Sequence, residues 1–245
     1  MSGARSTGGG AAVGAVADVV DDLRRRITLI TGEAQPAASA PAPVNEPVPA
    51  TTATLGVPAW LGRHLTRGGL PRGAVTEVTA CPTALVDLLA TVTAAGGCAA
   101  VVDYPQLSLA AVAATGGDLD RTVLIPDATP HTGAVLGTLV EGLDLVIYRV
   151  VTPVTPTAAR PVEARLRRSR CALVVCGGWP GARLHLDWQV EGVTGLGRGS
   201  GRIRGVTLTG RAHGQGQPPV TFREQIGDRA GTVAEHLPAP LERAR

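Results

Sequence analysis

No lysine occurs anywhere in this chain, and all 23 basic residues are arginine. That excludes any site in which a compact, mobile ammonium must reach a bound phosphate, because a planar guanidinium cannot take its place. Aromatic residues make up only 2% of the chain, so the core has to be built from Val, Leu, Ala and Ile, for which a 44% hydrophobic content is ample. Asparagine is limited to Asn45. GC-rich coding DNA, which depletes Lys, Asn, Phe, Tyr and Met together, accounts for this bias. The four cysteines (Cys81, Cys98, Cys171 and Cys176) have no C-x-x-C spacing and read as reduced structural residues of a cytoplasmic protein. No apolar run reaches membrane-spanning length, and Met1–Gly14 has no signal-peptide core. The five histidines lack metal-ligand spacing, and no Ser/His/Asp or Cys/His set can be assembled. No catalytic residue, metal or cofactor is expected.

Four segments follow from the patterning. In residues 1–33, Val16, Val19, Val20, Leu23, Ile27 and Ile30 form one helical stripe, with Asp18, Asp21 and Asp22 early and Arg24–Arg26 late, as the helix dipole favours. Residues 34–57 form an Ala/Pro-rich linker, expected to be extended. Residues 58–228 form the folded core, and 229–245 a mixed charged and apolar tail. In the core, apolar strands are predicted at Val75–Val78, Ala99–Val102, Thr122–Ile125, Leu143–Tyr148 and Ala172–Val175. Helices at Ala84–Ala95, Leu107–Ala114, Thr132–Glu141 and Pro156–Arg168 alternate with them, which is the signature of a parallel sheet covered on both faces. Beyond Arg183 the pattern becomes strict alternation, predicting antiparallel strands separated by turns at Gly195–Gly201 and Gly210–Gln217.

The run Gly68-Gly69-Leu70-Pro71-Arg72-Gly73 followed by Ala74–Val78 reads as a turn feeding a buried strand. A phosphate-binding G-x-x-x-x-G-K-[ST] loop would come next. The chain instead continues Thr79-Ala80-Cys81-Pro82-Thr83 straight into a helix. The glycine-rich Gly195–Gly201 does not replace the loop, because it joins two alternating strands with no helix behind it.

This approach turn, Val101-Val102-Asp103, Leu143–Ile147 and the late Val206–Ile226 strands resemble, in that order, the RecA family core from about Trp60 to Asp228. The resemblance implies an α/β fold with a RecA-like, mostly parallel central sheet, C-terminal antiparallel strands and a degenerate P-loop. It also implies that the ATP-site positions are lost at Cys81, Pro82, Thr83, Pro105 and Arg149. Pro105 stands where the family has its catalytic Glu, and Arg149 where it has the Asp that holds Mg²⁺. The two loops that carry DNA in RecA correspond to the short Val151–Pro156 and Gly177–Gly181. With these losses the chain is similar to the ImuA family, in its diverged actinobacterial ImuA-prime form.

The resemblance implies a non-catalytic adaptor of a damage-induced translesion synthesis complex, nucleoid-associated when DNA is damaged. Its expected partners are an ImuB-like inactive Y-family polymerase homologue, through it an error-prone replicative-type DNA polymerase, and RecA. The stripe Val16, Val19, Val20, Leu23, Ile27 and Ile30 is the candidate partner-binding face, the alternative being that it packs on the chain's own core. Arg165, Arg167, Arg168 and Arg170 are candidate contacts to DNA or an acidic partner, the alternative being an ordinary solvated helix face. Two rival functions fit the same sequence: a SulA-like cell-division inhibitor, and a DNA-binding recombination mediator.

Overall fold

The computed structural model describes residues 54–196 and 201–227. The expected amino-terminal helix with its stripe, the linker up to residue 53, and the tail lie outside the described residues. The elements run β1 (Thr54–Gly56), α1 (Ala59–Gly62), β2 (Gly69–Pro71), β3 (Ala74–Val78), α2 (Pro82–Ala94), β4 (Ala99–Val102) and α3 (Leu109–Ala114). A 3₁₀ turn at Leu119–Arg121 leads into β5 (Thr122–Ile125), α4 (Thr132–Gly142), β6 (Leu145–Arg149), α5 (Pro156–Leu166) and β7 (Ala172–Cys176). Three long strands follow: β8 (Leu184–Leu196), β9 (Gly201–Gly214) and β10 (Gln217–Ile226).

The main sheet has the order β10-β9-β8-β3-β7-β6-β4-β5. From β8 to β5 all neighbours are parallel, whereas β9 and β10 are antiparallel additions. The α/β class, the mostly parallel sheet and the antiparallel extension are therefore as the alternation of apolar runs predicts. Strands β4, β6 and β7 are buried on both faces because helices cover both. One core layer packs Leu85 and Leu89 of α2 on Val101, Ile147 and Val174. The other packs Leu136 and Val140 of α4 and Val162 and Leu166 of α5 on Val146, Leu173 and Val175. Helix starts follow local chemistry. Pro82 opens α2, where its missing N–H costs nothing, while Ser108 and Thr155 cap α3 and α5 by accepting from Ala111 N (3.2 Å) and Ala158 N (3.3 Å).

The antiparallel extension is dry on one face and wet on the other. On the dry face Trp60 of α1 meets Trp188 at 6.0 Å between ring centroids, and His64 stacks on Phe222 at 4.8 Å. His64 Nε2 also lies 2.7 Å from Glu224 Oε1, so this histidine packs inside the fold. Gly210, expected in a turn, lies within β9, and the turn to β10 is at Gln215–Gly216. A Cβ at position 210 would sit 2.5 Å from the Phe222 ring, so the glycine makes room for the aromatic rather than bending the chain.

Thr54–Gly56, at the end of the expected linker, pairs antiparallel with Gly69–Pro71, so the approach turn is the second strand of a ribbon. A Cβ on Gly69 would lie 2.4 Å from Leu55 O, so only glycine allows this approach. Arg72 locks the ribbon to the amino-terminal edge of the sheet. Its Nη1 donates to Asp144 Oδ1 at 2.9 Å and to the Arg170 carbonyl, and its Nε donates to Thr54 O at 3.3 Å. Asp144 Oδ2 in turn accepts from Cys98 N at 3.1 Å. One guanidinium thus joins the starts of β3, β6 and β7 to β1. Arg72→Ala should lower unfolding stability by about 2–3 kcal/mol in urea titration, and Arg72→Lys should recover less than half of that, because an ammonium cannot reproduce the fork.

Candidate functional site

The chain leaves β3 through α2 and passes β7 and β6 to reach β4, whereas it leaves β7 in the opposite direction, past β3, to reach β8. The carboxyl ends of β3 and β7 therefore flank a switch in direction, the place where open α/β sheets bind ligands. Registers Val78↔Cys176 and Arg149↔Cys176 bring β3, β7 and β6 to an end at one level.

On the α2 side this edge is filled by the protein's own side chains. Strand β3 passes to α2 through Thr79, Ala80 and Cys81, with no glycine among them. Thr79 is tied on both sides of its peptide: its N donates to Leu186 O at 3.1 Å, and its carbonyl accepts from the Trp188 indole. Cys81, Tyr104 and Cys176 are each 4% exposed and belong to one packed cluster. Arg149 lies over the Tyr104 ring, 5.0 Å from its centroid, and its Nη1 donates to Gln106 Oε1 at 3.0 Å. Burial, then the Cys176 sulfur, push the Tyr104 hydroxyl above its ordinary range, with Arg149 opposing them. Burial alone pushes the Cys176 thiol up to about 12, again against Arg149. Both groups are therefore neutral packing groups at physiological pH.

Pro82 and Pro105 are exposed and Thr83 half-buried in the first turn of α2, so of the five sequence-assigned positions only Cys81 and Arg149 contribute to this plug. Asp103 takes a left-handed φ of 55°, is 5% exposed, and accepts from Ala128 N at 2.7 Å through Oδ1. It anchors the loop after β5, a structural role. Cys176 reads from the sequence only as a structural cysteine, and Tyr104 carries no motif. Tyr104 is one of only two tyrosines in the chain, and that rarity beside Asp103 was the available signal.

On the opposite face the same edge is open. A cleft of about 640 Å³ runs between Val150–Val154 and Gly177–Pro180, with Glu77 at its base. Glu77 Oε2 accepts from Trp179 N at 3.0 Å, and Glu163 Oε1 accepts from the Trp179 indole at 3.0 Å. Trp179 also meets Tyr148 edge-on at 6.4 Å.

The arginine cluster lies elsewhere. Arg165, Arg167, Arg168 and Arg170 sit at the end of α5 and the start of β7, at the amino-terminal edge of the sheet. Arg165 faces Glu141 at 3.7 Å and Arg167 faces Glu163 at 3.7 Å. Arg168 and Arg170 are exposed and pair with no carboxylate among the described residues. Among the described residues no group of three or more His, Cys, Asp or Glu could hold a metal ion, and no helix is long and apolar enough to cross a membrane.

Fold and edge together define a class: an α/β protein with a mixed eight-stranded sheet whose carboxyl edge is closed on one face by Cys81, Tyr104, Cys176 and Arg149. Residues 63–181, from the end of α1 to the loop before β8, match the family described as MT3502 N-terminal domain. The chain is also 38% identical over 148 residues to the uncharacterized protein Rv3395c of Mycobacterium tuberculosis (strain ATCC 25618 / H37Rv), a match covering 57% of this chain and 72% of that protein. The chain belongs to the family of this mycobacterial protein.

Burial pushes the Cys171 thiol to about 12 as well, with Asp144 adding to the effect and Arg72 opposing it. From an ordinary value of 9.0, both Cys171 and Cys176 have raised folded-state values. The unfolded chain releases these protons first as pH rises, so their contribution to stability is complete below pH ~9 and falls away between ~9 and ~12. Urea midpoints should decline steeply over that window, and Cys171→Ala or Cys176→Ala should flatten the decline.

Proposed function

We propose that this protein is a non-catalytic, RecA-like adaptor of the ImuA-prime type, serving a damage-induced translesion synthesis complex. The observation that carries the reading is the filled edge. In a RecA-type protein the strand after the approach turn opens into a phosphate loop, whereas here three residues lead into α2, and Cys81, Tyr104 and Cys176 occupy the space beyond. Arg149, at the position matching the metal-holding Asp, is engaged with Tyr104 and Gln106. Pro105, at the position matching the catalytic Glu, carries no base. Further support comes from the central position of β3 in a parallel sheet and from the antiparallel extension after β8.

In this reading the sheet and its helices form a rigid body that holds the inactive Y-family polymerase homologue and, through it, the error-prone polymerase. RecA is a further partner in the same reading. The amino-terminal stripe from Val16 to Ile30, outside the described residues, is the docking segment of this reading. Direct DNA contact would fall to Arg168 and Arg170, since Arg165 and Arg167 face carboxylates. Co-expression with the polymerase homologue should give a complex that survives gel filtration, and deletion of the gene should abolish damage-induced mutagenesis. Separate elution of two folded proteins, or filamentation on overexpression without a mutagenesis defect, would favour the division-inhibitor alternative.

A further inference from the structure

The cleft on the α5 side of the carboxyl edge has no part in the filled site. Its walls are Val150, Val151, Pro153 and Val154 on one side and Trp179 and Pro180 on the other. Val151 is 60% exposed, the most exposed large apolar side chain among the described residues. Valine held out to water at a ligand-binding sheet edge marks a contact surface. The opposite wall is rigid before any partner arrives. Trp179 is fixed through its backbone N–H by Glu77 and through its indole by Glu163, and it packs against Tyr148.

The base of the cleft carries charge of one sign. Glu77 is the one charged residue of β3, whose other members are Ala74, Val75, Thr76 and Val78. Its Oε2 is taken by Trp179 N, with His185 Nδ1 at 3.9 Å, and its Oε1 accepts no hydrogen bond from the described residues. No Arg lines the cleft. The site thus offers apolar walls beside a carboxylate oxygen that no described residue engages.

We infer that this cleft binds an extended peptide segment of a partner protein, seating an aliphatic side chain between Val151 and Trp179 and an adjacent Arg or Lys on Glu77. The chemistry selects against an acidic segment, which would bring like charge onto Glu77. It selects against a nucleic-acid strand for the same reason. The inference does not depend on the translesion reading, since it concerns the chemistry of the segment and not the identity of the partner.

The test uses the full chain and two fluorescein-labelled octapeptides, one alternating leucine with arginine and the other leucine with glutamate, followed by fluorescence anisotropy. The protein's net charge is +3, so overall attraction favours the acidic peptide, and preference for the basic one reports the local carboxylate. The Leu/Arg peptide should bind at least about tenfold more tightly than the Leu/Glu peptide. Val151→Asp, which replaces an exposed side chain, should weaken aliphatic seating, and Glu77→Gln should erase the preference. Glutamine keeps an oxygen for Trp179 N, so the wall stays in place. Leu119→Ala, which removes an exposed apolar group far from the cleft, should leave binding unchanged. Equal binding of both peptides, absence of binding, or indifference to Val151→Asp and Glu77→Gln would overturn the proposal. Because the readout uses synthetic peptides, its failure would leave the polymerase-homologue complex testable on its own.

Discussion

The level at which β3, β7 and β6 end is the constraint on which the remaining arrangement depends. Parallel pairing aligns Val78 with Cys176 and Cys176 with Arg149. The following residues must turn off the sheet at one height, and their side chains fill the same small space. Tyr104 arrives there from β4, Cys81 from the start of α2, and Arg149 closes over the ring. A phosphate-binding loop needs backbone N–H groups aimed into an empty cradle. Here the cradle is core, and the backbone leading to α2 is pinned to Leu186 and Trp188 of β8.

The two edges of the sheet divide the remaining polar chemistry. The amino-terminal edge is structural: Arg72 and Asp144 tie the starts of β1, β3, β4, β6 and β7 together, and half of the arginine cluster is engaged by neighbouring carboxylates. The carboxyl edge differs between its two faces. One face is closed by the Cys81–Tyr104–Cys176 plug, and the other presents Val151, Trp179 and Glu77. The sheet is therefore closed on one face of this edge and open on the other.

The buried strands were legible because covered parallel strands are plain apolar runs. Ala99–Val102 and Thr122–Ile125 read from the sequence with their observed bounds, and the helices between them were placed by periodicity and by Gly or Pro at their ends. The β1–β2 ribbon was not legible, because three-residue strands carry no period. Gly210 reads as a turn residue and is in fact mid-strand, a decision made by the Phe222 ring one strand away. The site was half legible. Cys81 and Arg149 were marked by what they replace, whereas their convergence with Tyr104 and Cys176 depends on a register that joins distant parts of the chain. Glu77 stands out as the one charged residue of a mostly apolar strand, but its hold on Trp179 comes only with the fold.

With Cys81, Tyr104 and Cys176 packed at the carboxyl edge beside α2, that face should offer no cradle to a nucleotide. Isothermal titration of the purified full-length chain with ATP, with and without Mg²⁺, tests it most directly. The account predicts no saturable heat and no ligand-induced rise in melting temperature under either condition. Saturable, Mg²⁺-dependent binding that disappears on substituting Cys81 or Arg149 would contradict it.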